Sequence, residues 1–497
     1  MLAYFSPSEP KILCLVERED LEEKKTLQCT ANKTNIYFLD FLSLYLREQY
    51  TFYLYINNAM MNTLLYVLGI IYFFGVADGQ SCSGYDCLKN YIDRPEPAYK
   101  WTDTGTRLRG EGGDGVGWTG YLLNFTSQSW LNPELVTRSE WWHKLLIIVP
   151  DNVRVLDTAT LWIEGVDNTH ADDDIDPDGY NVQFLVNVSI TQGMTSAIVF
   201  QVPNQPIVFA EDVLGKERTE NALISFTWWH FINDQDQDAE YLIRLPMIKS
   251  AVKAMDTITN FLTDDTAPEE IQDTGLKPTK FIAGGASKRG WTAWNLATVD
   301  SRVIAIYPTI MDLLNYIKLM KHEFASYGGW SYAMSDLWEM NITLYTDTPE
   351  MVQLQAILDV YQYPEKMMIP KLVILGTNDE FFLPTNTRYW WNDLPQAEDL
   401  NRLLMVPNQE HMWYGGLSAK LPVINSWIKQ ILEASTLQVN SLSDREVYVN
   451  KISKSASIPR FNWTHESGEI IVNSEQAPTK VELWWADSCN NKRRDWR

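Results

Sequence analysis

An α/β fold built on a doubly wound, mostly parallel sheet is what this sequence predicts, and three observations carry the prediction. Past residue 80, apolar runs of strand length alternate with stretches of helical periodicity, the pattern such sheets produce. One of these runs breaks at small residues and continues as a helix, in Phe281-Ile-Ala-Gly-Gly-Ala-Ser-Lys-Arg-Gly290. Two later runs end beside groups with acid–base chemistry: Lys371-Leu-Val-Ile-Leu-Gly-Thr-Asn-Asp379 and Arg402-Leu-Leu-Met-Val-Pro-Asn-Gln-Glu-His411. In open α/β sheets the loops past the strand ends build the site.

The elements follow in order. Residues 49–77 contain no charged side chain, and Leu64-Leu-Tyr-Val-Leu-Gly-Ile-Ile-Tyr-Phe-Phe-Gly-Val-Ala77 is continuously apolar. Ala77 and Gly79 then occupy the −3 and −1 positions of a cleavage before Gln80, a signal-peptide layout that sits roughly sixty residues too late. Translation from Met60 or Met61 restores a nearly normal leader, so residues 1–59 are read as an extension from a mis-assigned start and residues 60–79 as a signal peptide. A signal anchor is the alternative, because an uncharged run of this length spans a bilayer. Either reading places the bulk of the chain in a secreted or non-cytosolic setting.

Residues 80–435 are expected to form the α/β domain. Strands are expected at 140–149, 159–165 and 195–202, the last ending at Pro203-Asn-Gln-Pro206. Met247, Ala251, Met255, Ile258 and Leu262 make a helical stripe. The strand at 281–286 follows, then one at 303–308 and a largely helical insertion at about 309–365, read as a lid. The acidic stretch 167–179 resembles a calcium loop only in its D-x-D spacing and is read as a solvated loop, with no metal site expected. Residues 436–497 turn to short strands, as in Glu469-Ile-Ile-Val472 and the run 480–485, and form a small β-rich appendage whose end is abrupt.

The chemistry is read from Ser287. In the nucleophile elbow of α/β-hydrolases a serine stands at the apex of a strand–turn–helix, its hydroxyl above the sheet. Gly285 leaves room for that turn, but the usual second glycine position is Arg289, and glycine comes one later at Gly290. An ordinary turn is the competing reading. A nucleophilic serine needs a histidine to take its proton and a carboxylate to orient that histidine. Of six histidines only His322, His411 and His465 follow Ser287. His322 reads as helical and His465 lies in a late polar segment, so His411 is the preferred base. Asp379 is the preferred acid, with Glu380 and Asp393 as rivals. The oxyanion is assigned to the backbone N–H of Lys288 and a donor from the 203–206 loop, Asn204 or Gln205. Lys288 and Arg289 either meet a substrate carboxylate or are surface charge.

A net charge of −23 argues against nucleic acid or an anionic membrane surface as partner. The tryptophan pairs at 141–142, 228–229, 390–391 and 484–485 line a sugar or peptide cleft or, more commonly, pack in the core. Sequons at Asn124, Asn187, Asn341 and Asn462 are candidate glycosylation sites. Of five cysteines, Cys82 and Cys87 are close enough for a small disulfide loop, and no spacing resembles a metal ligand set.

Several segments together resemble the PhoPQ-activated pathogenicity-related family, which includes a secreted autocrine signal of social amoebae. They are Val202-Pro-Asn-Gln-Pro206, Leu245-Pro-Met247 with Ala254-Met-Asp256, Gly284-Gly-Ala-Ser-Lys-Arg-Gly-Trp291 and Tyr327-Gly-Gly-Trp330. Gly376-Thr-Asn-Asp-Glu-Phe-Phe-Leu-Pro384, Pro407-Asn408 with His411, and Arg493-Arg-Asp-Trp496 complete the series. The resemblance implies an α/β-hydrolase fold, similar to dipeptidyl-peptidase and acyl-esterase catalytic domains, and carries the triad onto Ser287, Asp379 and His411. Glucuronoyl esterases resemble this elbow in setting a basic residue after the serine. The chain departs from the family pattern after Leu383-Pro384, where Thr385-Asn386-Thr387 replace acidic residues. Two functions follow as expectations, both without a cofactor: a secreted serine hydrolase acting on a small-molecule or peptide substrate, and a signalling protein on the same fold that binds a cell-surface receptor.

Overall fold

A computed structural model describes residues 82–113, 115–170, 174–395, 400–435, 461–474, 477–478 and 480–481. The described residues all fall within one compact unit of the chain, Ser81–Arg497. The expected leader at 60–79, the extension before it, Cys14, Cys29, Cys489 and the Trp484-Trp485 pair lie outside the described residues. Among the described residues no helix is long and apolar enough to cross a membrane.

Nine strands form one sheet in the order β1-β2-β3-β5-β4-β6-β7-β8-β9. They are β1 Lys100–Glu111, β2 Gly117–Ser129, β3 Glu140–Pro150, β4 Val155–Ile163, β5 Met194–Val199, β6 Lys280–Ala286, β7 Val303–Thr309, β8 Lys371–Gly376 and β9 Asn401–Val406. The pairs from β5 through β9 are parallel, and β1, β2, β3 and β5 pair antiparallel. This is the α/β-hydrolase architecture.

The strands read as continuous apolar runs because both faces of the sheet are buried. On β3, Leu145 and Ile147 join one hydrophobic core while Leu146 and Ile148 join the other. On β6, Phe281 and Ala283 face the first core and Ile282 the second. Eight helices of eight residues or more flank the sheet among the described residues: α1 Tyr85–Asp93, α2 Tyr180–Gln192, α3 Glu220–Asn233, α4 Arg244–Thr263, α5 Lys288–Val299, α6 Tyr316–Tyr327, α7 Pro349–Leu358 and α8 Leu417–Ser435. Ile424, Ile428 and Ile431 on α8 pack with Val182, Leu185 and Val188 on α2 in the second core. Met247, Ala251, Met255 and Ile258 on α4 and Trp291 and Trp294 on α5 lie in the first.

The helical stripe at 247–262 falls within α4. Helix α3 went unread, since ENALISFTWWHFIN is apolar nearly all round and has no amphipathic period. Strand β1 was missed for a different reason. Edge strand β1 is largely polar and exposed, so it carries little of the apolar signal by which strands are read.

The insertion between β7 and β8 contains α6, a short helix Ser335–Glu339 and α7. Past α8, β10 Phe461–Glu466 and β11 Glu469–Ser474 form a two-stranded antiparallel hairpin. The expected strand at 480–485 lies almost wholly outside the described residues.

Candidate active site

Ser287 sits between β6 and α5 with φ 56° and ψ −127°. A non-glycine residue in that region stores on the order of 1–3 kcal/mol of strain, held only where its surroundings over-determine it. Here the Ser287 N–H donates to Thr309 O at 2.9 Å, and its carbonyl accepts from Trp291 N at 3.0 Å. A Cβ at Gly285 would lie 2.8 Å from the Arg289 backbone, and one at Gly290 would lie 2.9 Å from Gly285 O. Both glycines are therefore required by close approach within the turn.

Asp379 follows β8 and His411 follows β9, so all three residues rise from carboxyl ends of parallel strands. His411 Nε2 is 2.8 Å from Ser287 Oγ, and His411 Nδ1 is 3.0 Å from each carboxylate oxygen of Asp379. Asp379 is buried, and its Oδ1 also accepts the Phe381 and Phe382 N–H groups at 2.8 and 3.0 Å. Those bonds aim the carboxylate at the imidazole, and the Phe381 ring lies 4.1 Å from the imidazole centroid. The order suits proton transfer from serine to histidine with the carboxylate fixing the tautomer.

The rival residues are placed elsewhere or differently. Glu380 Oε2 accepts the backbone N–H of His411 at 3.0 Å, so it anchors the loop without facing the ring's proton-transfer edge. Asp393 accepts from the Tyr361 hydroxyl at 2.6 Å. His322 is buried on α6 against Thr385 Oγ1 at 2.8 Å, and His465 lies on β10.

Around the elbow, Lys288 is the first residue of α5, so its N–H is one of the helix-end donors that have no intrahelical partner. Asn204 and Gln205 are buried close by. Asn204 donates its side-chain amide to Glu140 O at 2.9 Å and is bonded to Asn168. Gln205 gives its backbone N–H to Pro203 O at 3.0 Å and its side-chain amide to Glu220 Oε1 at 2.6 Å. These groups are thus engaged by the protein itself, which corrects the reading of Asn204 and Gln205 side chains and of the Gln205 N–H as free oxyanion donors.

Lys288 and Arg289 are neither free for a substrate carboxylate nor surface charges. Arg289 is buried, donates to Val202 O through Nε at 2.7 Å and grips Glu220 with both terminal nitrogens at 2.8 and 2.6 Å. Lys288 Nζ meets the same carboxylate at 2.6 Å. Burial raises the Glu220 carboxyl, and the Arg289 and Lys288 charges outweigh it, holding the group well below the usual range. Burial pushes the Lys288 ammonium down, with Glu220 opposing. Nothing in the sequence flagged Glu220, an acid at the head of an apolar stretch distant from the elbow. Arg244 was missed too: fully buried, it donates to Lys288 O at 2.9 Å and stacks on Trp291.

On the histidine side, Asp312 and Glu323 are buried, and burial, the largest cause, pushes both carboxyls well up. Among the described residues no group of three or more His, Cys, Asp or Glu is placed to hold a metal ion.

Residues 88–497 match the model of the family described as PhoPQ-activated pathogenicity-related protein. The chain belongs to that family. A curated relative, autocrine proliferation repressor protein A of Dictyostelium discoideum, is 32% identical over 422 residues, covering 82% of this chain and 76% of that protein. Among solved structures, an acetyl xylan esterase from Paenibacillus sp. R4 has a TM-score of 0.45 at 13% identity, covering 69% of this chain and 92% of its own. A glucuronoyl esterase from Solibacter usitatus has a TM-score of 0.39 at 12% identity, covering 69% and 91%.

Of the other family segments, Val202-Pro-Asn-Gln-Pro206 forms the loop that locks Glu220 and Arg289. Gly376 opens the Asp379 loop where a Cβ would lie 2.2 Å from Gln409 O. Of the candidate sequons, Asn187, Asn341 and Asn462 are exposed, and Asn124 is half-buried in the middle of β2. Trp141, Trp228 and Trp390 are buried in the core, and of these Trp228 also lines the cavity beside Ser287.

Proposed function

We propose that this protein is a secreted serine hydrolase that cleaves esters or amides with Ser287 as nucleophile, His411 as general base and acid, and Asp379 as the group that orients the imidazole. The observation that carries the proposal is the unbroken hydrogen-bonded chain from Ser287 Oγ through His411 to Asp379. Ser287 attacks the carbonyl carbon while its proton passes to His411 Nε2. The tetrahedral oxyanion is held by the Lys288 N–H at the amino end of α5, whose dipole favours negative charge. The imidazolium then protonates the leaving alcohol or amine, and water repeats the sequence to release the acid. Export is supported by the apolar leader and by the Cys82–Cys87 disulfide, since such bonds persist in oxidising compartments.

Labelling of the full-length chain by a fluorophosphonate, lost in Ser287→Ala, is the expected result. An absence of labelling in folded wild-type protein would sink the proposal.

The relative's name gives a second reading, in which the same fold acts as an extracellular signal through a cell-surface receptor. The two separate on one comparison. Equal repression of proliferating cells of the source organism by wild-type and Ser287→Ala protein favours receptor binding, and loss of the effect in the variant favours hydrolysis.

A further inference from the structure

Ser287 opens onto a partly open cavity of about 60 Å³ lined by three separate parts of the chain. Helix α3 contributes Trp228, the elbow contributes Trp291, and the insertion between β7 and β8 contributes Met334 and Leu337. Met311 and Phe382 close the remaining sides, so the walls are chiefly apolar. Besides Ser287, the lining residues with polar side chains are Asn221, Ser225, Lys288, Tyr316 and Asp336. The Lys288 ammonium is bound to Glu220, and Asp336 is the acid among the lining residues.

We infer that this cavity is the acyl subsite of the hydrolase and selects short, uncharged acyl groups of two or three carbons. The inference rests on the proposed hydrolysis at Ser287. The size argument is direct. A dry apolar cavity of about 150 Å³ takes up benzene, six carbons, so about 60 Å³ accommodates two to three carbons by the same proportion. Trp228 and Trp291, both buried, meet edge to face at 5.9 Å in the cavity wall, and this packing limits the room for a longer chain. The charge argument disfavours acyl groups that carry a carboxylate, since Asp336 would repel them, the Lys288 ammonium is already bound to Glu220, and the neutral donors of Asn221, Ser225 and Tyr316 offset only part of the cost of burying a charge. The leaving group is left to the open side, which has to admit groups as large as a phenol.

Leu337, half-buried on the short helix Ser335–Glu339, lines the cavity, so the volume of its side chain limits the space for an acyl group. It is a specificity-determining residue.

The test is a p-nitrophenyl ester series on the full-length chain, from acetate through propionate and butyrate to octanoate, with succinate-type half-esters included. Acetate or propionate is expected to give the highest kcat/KM, with octanoate and the carboxylate-bearing acyl group lower by roughly 10-fold or more, the scale on which one methylene discriminates in an apolar pocket. Leu337→Ala is expected to move the optimum to butyrate or longer. Leu337→Trp is expected to cut butyrate more than acetate, and near-ultraviolet circular dichroism checks that each variant is folded. A flat profile, an octanoate optimum, or a profile unchanged in both folded variants overturns the acyl-pocket assignment while fluorophosphonate labelling of Ser287 keeps the hydrolase reading intact. Absence of both labelling and turnover overturns the two together.

Discussion

Glu220 and Arg289 form a bidentate ion pair behind the turn that carries Ser287, with contacts of 2.6 and 2.8 Å. Such fork-to-fork pairs fix geometry as well as charge. The carboxylate also holds Lys288 and Gln205, so one acid ties the elbow helix to the 202–206 loop and to α3. This explains why arginine is tolerated two positions after Ser287, where the elbow motif has glycine. Its guanidinium runs past Gly165, where a Cβ would lie 2.7 Å from Nη2.

Removing the acid should therefore loosen the elbow. Glu220→Gln leaves two buried cations with a neutral partner, a class of change that costs about 3–5 kcal/mol when fully buried. The Glu220 side chain is 39% exposed, so solvent screening lowers the expectation to about 2 kcal/mol. Urea unfolding of wild type and variant measures it, and an unchanged midpoint would contradict the argument.

The proton-transfer chain predicts non-additivity. Ser287→Ala and His411→Ala should each reduce kcat by roughly 10⁴-fold or more, and the double variant should lose little beyond either single one, because the residues act as a unit. Asp379→Asn should also cost about 10⁴-fold with the fold intact, by favouring the wrong imidazole tautomer. Steady-state rates on an activated ester decide this, and multiplicative losses in the double variant would contradict it.

Gly285→Ala tests the turn itself. Its new methyl would sit 2.8 Å from the backbone of Arg289, which cannot move without displacing α5. A loss of about 1–3 kcal/mol is expected from overpacking, together with a fall in fluorophosphonate labelling rate. Labelling at the wild-type rate would show that the turn has slack.

Asp359 gives a pH dependence with a definite sign. Burial raises its carboxyl to about 7, against the opposing N–H bonds of Tyr316 and Tyr361. Because the folded value lies above the ordinary 3.8, the folded state holds a proton that the unfolded chain releases. The contribution to stability is complete below about 3.8 and is lost as pH rises through about 7. A tenfold difference in proton affinity between the two states corresponds to about 1.4 kcal/mol. Asp359→Asn should therefore gain stability relative to wild type as pH is raised from 4 to 8, measured by urea midpoints. A constant difference across that range would refute the assignment.

Sequence alone determined the fold class and singled out the candidate reacting side chains. Long apolar runs at β3, β6, β7 and β8 are visible because both faces of the sheet are buried there, and Ser287 and Asp379 stand out because each follows such a run, while His411 follows the partly exposed apolar run of β9. Local signals of that kind survive in one dimension, since backbone periodicity and turn chemistry act over a few residues. Tertiary structure decided what no local pattern encodes. It selected Asp379 over Glu380, one residue apart, by pointing one carboxylate at the imidazole and the other at a backbone N–H. It committed the side-chain charges of Lys288 and Arg289 to Glu220, nearly seventy residues earlier in sequence, and so left neither cation unpaired. It brought α3, the elbow and the insertion around one small cavity. Burial and ion pairing are properties of the three-dimensional neighbourhood, and a charged residue's sequence context does not reveal which opposite charge the fold will set against it.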